Sequence, residues 1–206
     1  MVSRSEGKFE NGPGSRLLTK GARRAVAAAV GLAVVAGCAV TGYSVLRARL
    51  FPGRYRDVLT AAADEFGLDP LLVAAVVHCE SRFRPQARSS AGARGLMQLM
   101  PATAQEAAGK LGMTGYGEAL LDEPVVNLRL GCAHLRELLD RFDGDTQVAL
   151  AAYNAGSRHA ATWLEAAHGD AERMLNEHAF PVTRKYVRDV FRTRSVLRWL
   201  DAIDGF

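Results

Sequence analysis

Apolar residues recur with a helical period along most of the chain, and no stretch alternates in the manner of a half-buried strand. Tyr55–Phe66 is amphipathic and runs into Gly67, a residue suited to the left-handed end of a helix. Asp69 followed by Pro70 reads as an N-cap and a first helical position. They launch the run from Leu71 to Glu80, which is apolar on every face until its carboxylate, so this helix is expected at the centre of the fold. Pro101 opens another helix that stops near Gly112, and Glu123-Pro124 opens one that runs to Phe142 and ends at Asp143-Gly144. Asp145 caps a helix closing at Asn154-Ala155-Gly156, and Ser157–Ala167 and Thr183–Trp199 complete the set. Phe83–Gly95 and residues 113–122 read as loops. The pattern predicts an all-α domain over residues 54–206.

The segment Ala25–Leu46 is of another kind, for it carries no charge at all. As a helix it would extend about 33 Å, enough for a bilayer hydrocarbon core of about 30 Å. Basic residues flank both ends, Arg23 and Arg24 before it and Arg47, Arg49, Arg54 and Arg56 after it. The short tail over residues 1–24 carries more basic charge and is assigned to the cytoplasm, which places the domain outside. Residues 47–53, with Phe51-Pro52-Gly53, read as a linker. A second reading stays open: Val35-Ala36-Gly37-Cys38 resembles a lipoprotein signal box, with Cys38 lipidated after cleavage. The chain stays apolar through Val45-Leu46, which favours an uncleaved, single-pass signal anchor. A buried soluble helix is the third option, and an uncharged run beside a basic tail is poor material for it. Both anchored readings put the domain outside the cytoplasm.

The 206 residues allow one domain plus an appendage, and a net charge of +4 is too mild to argue for nucleic acid. A basic stretch over residues 184–198 is either a solvated helix face or a surface for an anionic wall or lipid. Cys38, Cys79 and Cys132 are too few and too scattered for a disulfide framework; Cys79 and Cys132 read as buried thiols, with a bridge between them left open. No CxxC or HExxH motif occurs, and no metal or cofactor is expected.

Glu80 is the residue that calls for chemistry. A carboxylate closing an apolar helix is costly unless paired or protonated, and desolvation raises its pKa into the range a general acid needs. The bland alternative is a Glu that reaches solvent as its helix ends. The surrounding residues change the balance. Glu80-Ser81-Arg82-Phe83-Arg84-Pro85, then Ser89 through Gly95-Leu96-Met97-Gln98-Leu99-Met100-Pro101 to Ala104, resemble the signature of the soluble-lytic-transglycosylase (SLT) domain family. Three further blocks follow in family order: Glu123–Gly131 with His134-Leu135, Ala149–Gly156, and Pro181–Val187. The resemblance covers about residues 54–200 and implies a lysozyme-like helical fold of the goose type.

The resemblance also implies a peptidoglycan-cleaving enzyme that acts on the β-1,4 bond between N-acetylmuramic acid and N-acetylglucosamine. Glu80 matches the family's catalytic Glu, and Ser89, Gln98, Met100, Tyr153 and Asn154 match residues of its substrate cleft. Each has a plainer reading: Met97 and Met100 as packing, Tyr153 as a core tyrosine, Ser89 and Ser90 as turn residues. Ordinary glycosidases pair two carboxylates. This family is understood to use one, with the muramoyl 6-hydroxyl as nucleophile and a 1,6-anhydro sugar as product. Two positions depart from the family pattern, Val182 where a Glu is usual and His134 where a Tyr is usual. The alternatives are a hydrolytic muramidase of the same fold, for which the sequence offers no placed second carboxylate, and a non-catalytic wall-binding protein.

Overall fold

The computed structural model describes residues 19–204, so most of the basic tail expected over residues 1–24 lies outside the described residues. The chain divides into two units, residues 1–44 and 45–206. The first is helical from Lys20 onward. Its helix α1 (Lys20–Leu50) runs on without a break through the charge-free segment, buries none of its residues, and is long and apolar enough to cross a membrane. It is longer than the charge-free run because Lys, Arg, Leu and Ala at its ends are all good helix formers.

The second unit is all-α, as the periodicity predicted. A 3-10 turn (Gly53–Tyr55) leads into α2 (Arg56–Glu65) and α3 (Pro70–Ser81), followed by α4 (Pro101–Lys110), α5 (Pro124–Arg141), α6 (Thr146–Ala155) and α7 (Ser157–Ala166). A short α8 (Ala171–Arg173) passes into a π-helical turn (Met174–His178), and α9 (Pro181–Asp204) ends the described chain. Among the described residues there is no strand, only isolated bridges joining Arg94 to Arg88 and to Leu99. The expected loop 113–122 holds a 3-10 turn at Glu118–Asp122. Ion pairs from Asp122 to Arg88 and Arg94, and from Glu118 to Arg94, dock it on the loop after α3, a long-range pairing that local periodicity does not register.

Helix α3 is the core element. Leu71, Leu72, Val73, Ala74, Ala75, Val76 and Val77 are all buried, between α2 on one side and α9 on the other. Full burial of each Leu or Val is worth about 1.5–3 kcal/mol. Asp69 starts the helix as expected: its side chain accepts from Leu71 N at 2.9 Å, while its other carboxylate oxygen accepts from Arg194 of α9 at 2.7 Å. One side chain thus sets both where α3 begins and how α9 lies along it.

Helix α5 holds the long loop between α3 and α4 through one buried amide. Asn127 Oδ1 accepts from Met97 N at 2.7 Å, and its Nδ2 donates to Arg94 O at 3.0 Å and Leu121 O at 2.9 Å. The approach is so close that Gly95 (φ 81°) has no room for a side chain: a Cβ there would lie 2.1 Å from Asn127 Nδ2. Gly131, one helical turn on, leaves space for the buried Met97 side chain in the same way, with a Cβ meeting its sulfur at 2.2 Å. Asn127→Ala leaves Met97 N, Arg94 O and Leu121 O without their partner, at about 1–3 kcal/mol for each buried group that water cannot reach. We expect a loss of about 3 kcal/mol or more in urea unfolding; a change under about 1 kcal/mol would show that the amide is not what holds the loop.

Candidate active site

Helix α3 ends abruptly. Arg82 and Phe83 both adopt left-handed backbone conformations, with φ of 51° and 57°, so the helix stops at Ser81 and Glu80 stands on its last turn. Such a conformation costs a non-glycine residue roughly 1–2 kcal/mol. The buried Phe83 ring offsets it, lying edge-on to Phe51 at 5.5 Å and stacked on Tyr55 at 5.8 Å. Strain of this kind persists where packing over-determines it, and here it sits beside the carboxylate that the sequence singled out.

Glu80 faces a cavity of about 430 Å³ formed by the end of α3, the end of α6 and the first half of α9. Its walls include Arg82, Asn154, Val182, Lys185, Tyr186 and Asp189. Burial raises the Glu80 pKa from 4.5 to about 7, and the Tyr186 hydroxyl partly offsets the rise. That hydroxyl is buried and makes no hydrogen bond of ordinary geometry among the described residues, so it remains available at the carboxylate. Asp189 is a second carboxylate in the same cavity, which the sequence had not placed. It is ion-paired to Lys185, and its charge acts on Cys79.

Tyr153 and Asn154 come to this site from α6. Tyr153 is half-buried and donates to Met97 O at 2.9 Å; burial of its hydroxyl, and secondarily the nearby Glu80, raise its pKa well above 10 and keep it neutral. His134, at the position where the family has Tyr, packs its ring 5.4 Å from that of Tyr153. Asn154 lines the cavity, and its Oδ1 accepts from the buried Thr183 at 2.8 Å, which leaves the amide NH2 as its free end. Ser89, Gln98 and Met100 do not line this cavity; they lie on the loop between α3 and α4. Ser89 Oγ accepts from Ala93 N at 2.9 Å within an exposed turn. Gln98 (φ 48°) directs its amide N–H groups to Ala87 O and Gly95 O, both at 3.0 Å. Met100 is exposed at the start of α4, whereas Met97 is fully buried, so the two methionines part company.

The family model described as "Transglycosylase SLT domain" matches residues 57–176, more than half of the chain. The chain belongs to the SLT transglycosylase family. A putative soluble lytic murein transglycosylase of Haemophilus influenzae is 36% identical over 161 residues, covering 77% of this chain and 27% of that protein. The membrane-bound lytic murein transglycosylase C of Histophilus somni is 33% identical over 148 residues, covering 68% of this chain and 39% of that protein. Among solved structures, an inactive Glu-to-Gln mutant of the lytic transglycosylase Slt from Pseudomonas aeruginosa superposes with a TM-score of 0.68 at 35% identity, covering 76% of this chain and 25% of that one. The chain therefore spans about a quarter to two fifths of the length of these proteins. The likeness in structure supports the lysozyme-like SLT fold for the helical domain.

Two residues of the SLT cavity escaped the sequence reading. Tyr186 and Thr183 both lie in the block Pro181–Val187, and one helical turn of α9 brings the Tyr186 hydroxyl to Glu80 and the Thr183 hydroxyl to Asn154. Their place in that family-like block and their three-residue spacing, which puts both on one helix face, are the local signals. Val182 also lines the SLT cavity and is well exposed, so where an acidic side chain is usual this chain presents an apolar one.

The raised pKa of Glu80 makes a stability statement. Below pH 4.5 the carboxyl is protonated in both the folded and the unfolded chain; as pH rises to 7 and beyond, ionisation favours the unfolded chain. Glu80→Gln removes that penalty. The variant is expected to gain stability over the wild type between pH 5 and pH 8, reaching about 2–3 kcal/mol at the upper end. Urea unfolding at both pH values checks this, and a pH-independent difference would contradict the desolvated carboxyl.

Proposed function

We propose that this chain is a peptidoglycan lytic transglycosylase that cleaves the β-1,4 bond between N-acetylmuramic acid and N-acetylglucosamine. The observation that carries the reading is Glu80, half-buried at a cavity wall, with a pKa raised by desolvation to about 7. A carboxyl in that range is available in both protonation states near neutral pH. Glu80 protonates the leaving glycosidic oxygen. The resulting carboxylate then takes the proton of the muramoyl 6-hydroxyl as its oxygen attacks C1 and closes the 1,6-anhydro ring. The proton count balances, and no water is consumed. Tyr186, Tyr153 and the Asn154 amide supply polar contacts around the carboxyl, while Arg82 and Arg192, beside the Lys185–Asp189 ion pair, leave the cavity wall with excess positive charge suited to a glycan bearing carboxylates. Ser89, Gln98 and Met100, on the loop between α3 and α4, are assigned to the substrate cleft on the family resemblance alone. The names of the relatives and the Glu-to-Gln change in the inactive Pseudomonas neighbour support this assignment.

A hydrolytic reading has one observation in its favour, the presence of Asp189 in the cavity. Its ion pair with Lys185 argues against a role as a water-activating base, because the lysine holds the carboxylate engaged. A tethered 6-hydroxyl, by contrast, can present an effective molarity of about 10⁵ M or more.

Location follows from α1. The apolar run continues past Cys38 through Val45-Leu46 instead of giving way to a polar tether, and this favours an uncleaved single-pass anchor over lipidation at that cysteine. The domain then acts on the wall side of the cytoplasmic membrane.

Glu80→Gln is expected to lower glycan cleavage by about 10²-fold or more with the fold retained; a folded variant of near wild-type activity would remove Glu80 from the reaction. Digestion of peptidoglycan in ¹⁸O-labelled water should yield anhydromuramoyl ends without label, and label at the new muramic terminus would mean that water attacks, with Asp189 the first residue to test. In spheroplasts, externally added protease should degrade the domain after Leu46; protection would reverse the orientation.

A further inference from the structure

A second cavity, of about 450 Å³, lies on the other side of the turn that follows α3. It is walled by Arg54, Arg84 and Arg88, with Phe83 and Pro85 among its apolar parts. None of its arginines lines the catalytic cavity.

The three guanidinium groups are held in place by one contact each. Arg54 lies over the Tyr55 ring at 4.8 Å, Arg84 Nε donates to Ser81 O at 3.0 Å, and Arg88 Nη2 donates to Asp122 at 2.8 Å. Arg88 is thereby neutralised. Among the described residues neither Arg54 nor Arg84 has a carboxylate partner, so two exposed positive charges, each tied to the fold by one contact, share one concavity. Guanidinium groups arranged in this way suit the oxygens of a phosphate, and the volume lies in the range of sites that take a small ligand.

The position in the chain says which phosphate. Arg54 follows Leu46, the last residue of the charge-free span, by eight positions. With Arg47–Leu50 helical, that path is about 20 Å at most. Immediately after the helix, Phe51 packs on Phe83, whose neighbour Arg84 completes the cavity wall. An anchored chain therefore cannot carry this cavity far from the lipid surface.

We propose that the cavity of Arg54, Arg84 and Arg88 binds the headgroup phosphate of an anionic phospholipid and so holds the domain down on the membrane that anchors it. The proposal rests on the membrane-anchor reading of α1. A domain held in this way cuts strands next to the membrane and is kept from the outer wall.

The test uses the full chain in nanodiscs of phosphatidylcholine alone or with about one third phosphatidylglycerol, read by amide hydrogen exchange over residues 83–90. Exchange should be slower by several-fold in the anionic discs, at about fivefold per arginine engaged. Arg54→Gln with Arg84→Gln should abolish the difference, and Arg141→Gln, outside the cavity, should keep it. Arg84→Gln alone, expected to lose about fivefold, serves if the double variant does not fold. Equal exchange in the two lipids would overturn the proposal, as would slowing that survives in the arginine variants. Slowing reproduced in phosphatidylcholine discs by millimolar inorganic phosphate would mean a free-anion site and would overturn the lipid assignment. Failure of the wild type to enter phosphatidylcholine discs would refute the anchor itself, and this proposal with it.

Discussion

The buried amide of Asn127 is the interaction on which the candidate site depends. It grips Met97 N, and the carbonyl of that same residue accepts the hydroxyl of Tyr153, whose neighbour in the site is Glu80. A chain of contacts thus runs from the middle of α5, through the loop between α3 and α4, to the end of α6 and the carboxyl on α3. The links through Met97 are short hydrogen bonds, and the first has no access to water, where a hydrogen bond is at its strongest and its loss most costly; the last, from Tyr153 to Glu80, is electrostatic. Gly95 and Gly131 are part of the same device, because both leave the space that lets the loop lie directly on α5.

Around this clamp the fold trades stability for a usable carboxyl. Helix α3 buries every side chain from Leu71 to Val77, and then ends just past Glu80 through two residues with left-handed backbone. The apolar helix supplies the desolvation that lifts the Glu80 pKa to about 7, and the packed Phe83 ring offsets the strain of the turn. The buried Tyr186 hydroxyl lies at the same carboxyl and moderates that rise. Costs that gather around one carboxyl are what an acid/base site requires, since a relaxed and solvated Glu would be ionised at neutral pH.

The turn after α3 also separates two surfaces of different character. Arg82 faces the cavity of Glu80 and Arg84 the second one, while Phe83 between them is buried against Phe51 and Tyr55. The residues that lead out of the apolar helix α1 are therefore the ones that brace the turn behind Glu80.

The sequence by itself determined the helices, because each carries its own signals: Asp69-Pro70, Glu123-Pro124 and Asp145 at their starts, Gly67 and Asp143-Gly144 at their ends, and a helical apolar period between. It determined the family through four ordered blocks, and it singled out Glu80 as a carboxylate closing an apolar helix. What only the tertiary structure decided lies in contacts between residues far apart in the chain. Asn127, Thr183 and Tyr186 stand within the family-like blocks, but their partners are not visible until the packing of α5, α6 and α9 brings them to Met97, Asn154 and Glu80. Asp189 likewise enters the cavity only when α9 is laid along α3, and the amide of Gln98 turns to Ala87 and Gly95 only once the loop has closed on itself. Helix ends and apolar faces are set by neighbours within a few residues. A hydrogen-bonding partner or a shift in pKa is set by whatever the completed core places alongside, and local sequence holds no record of that.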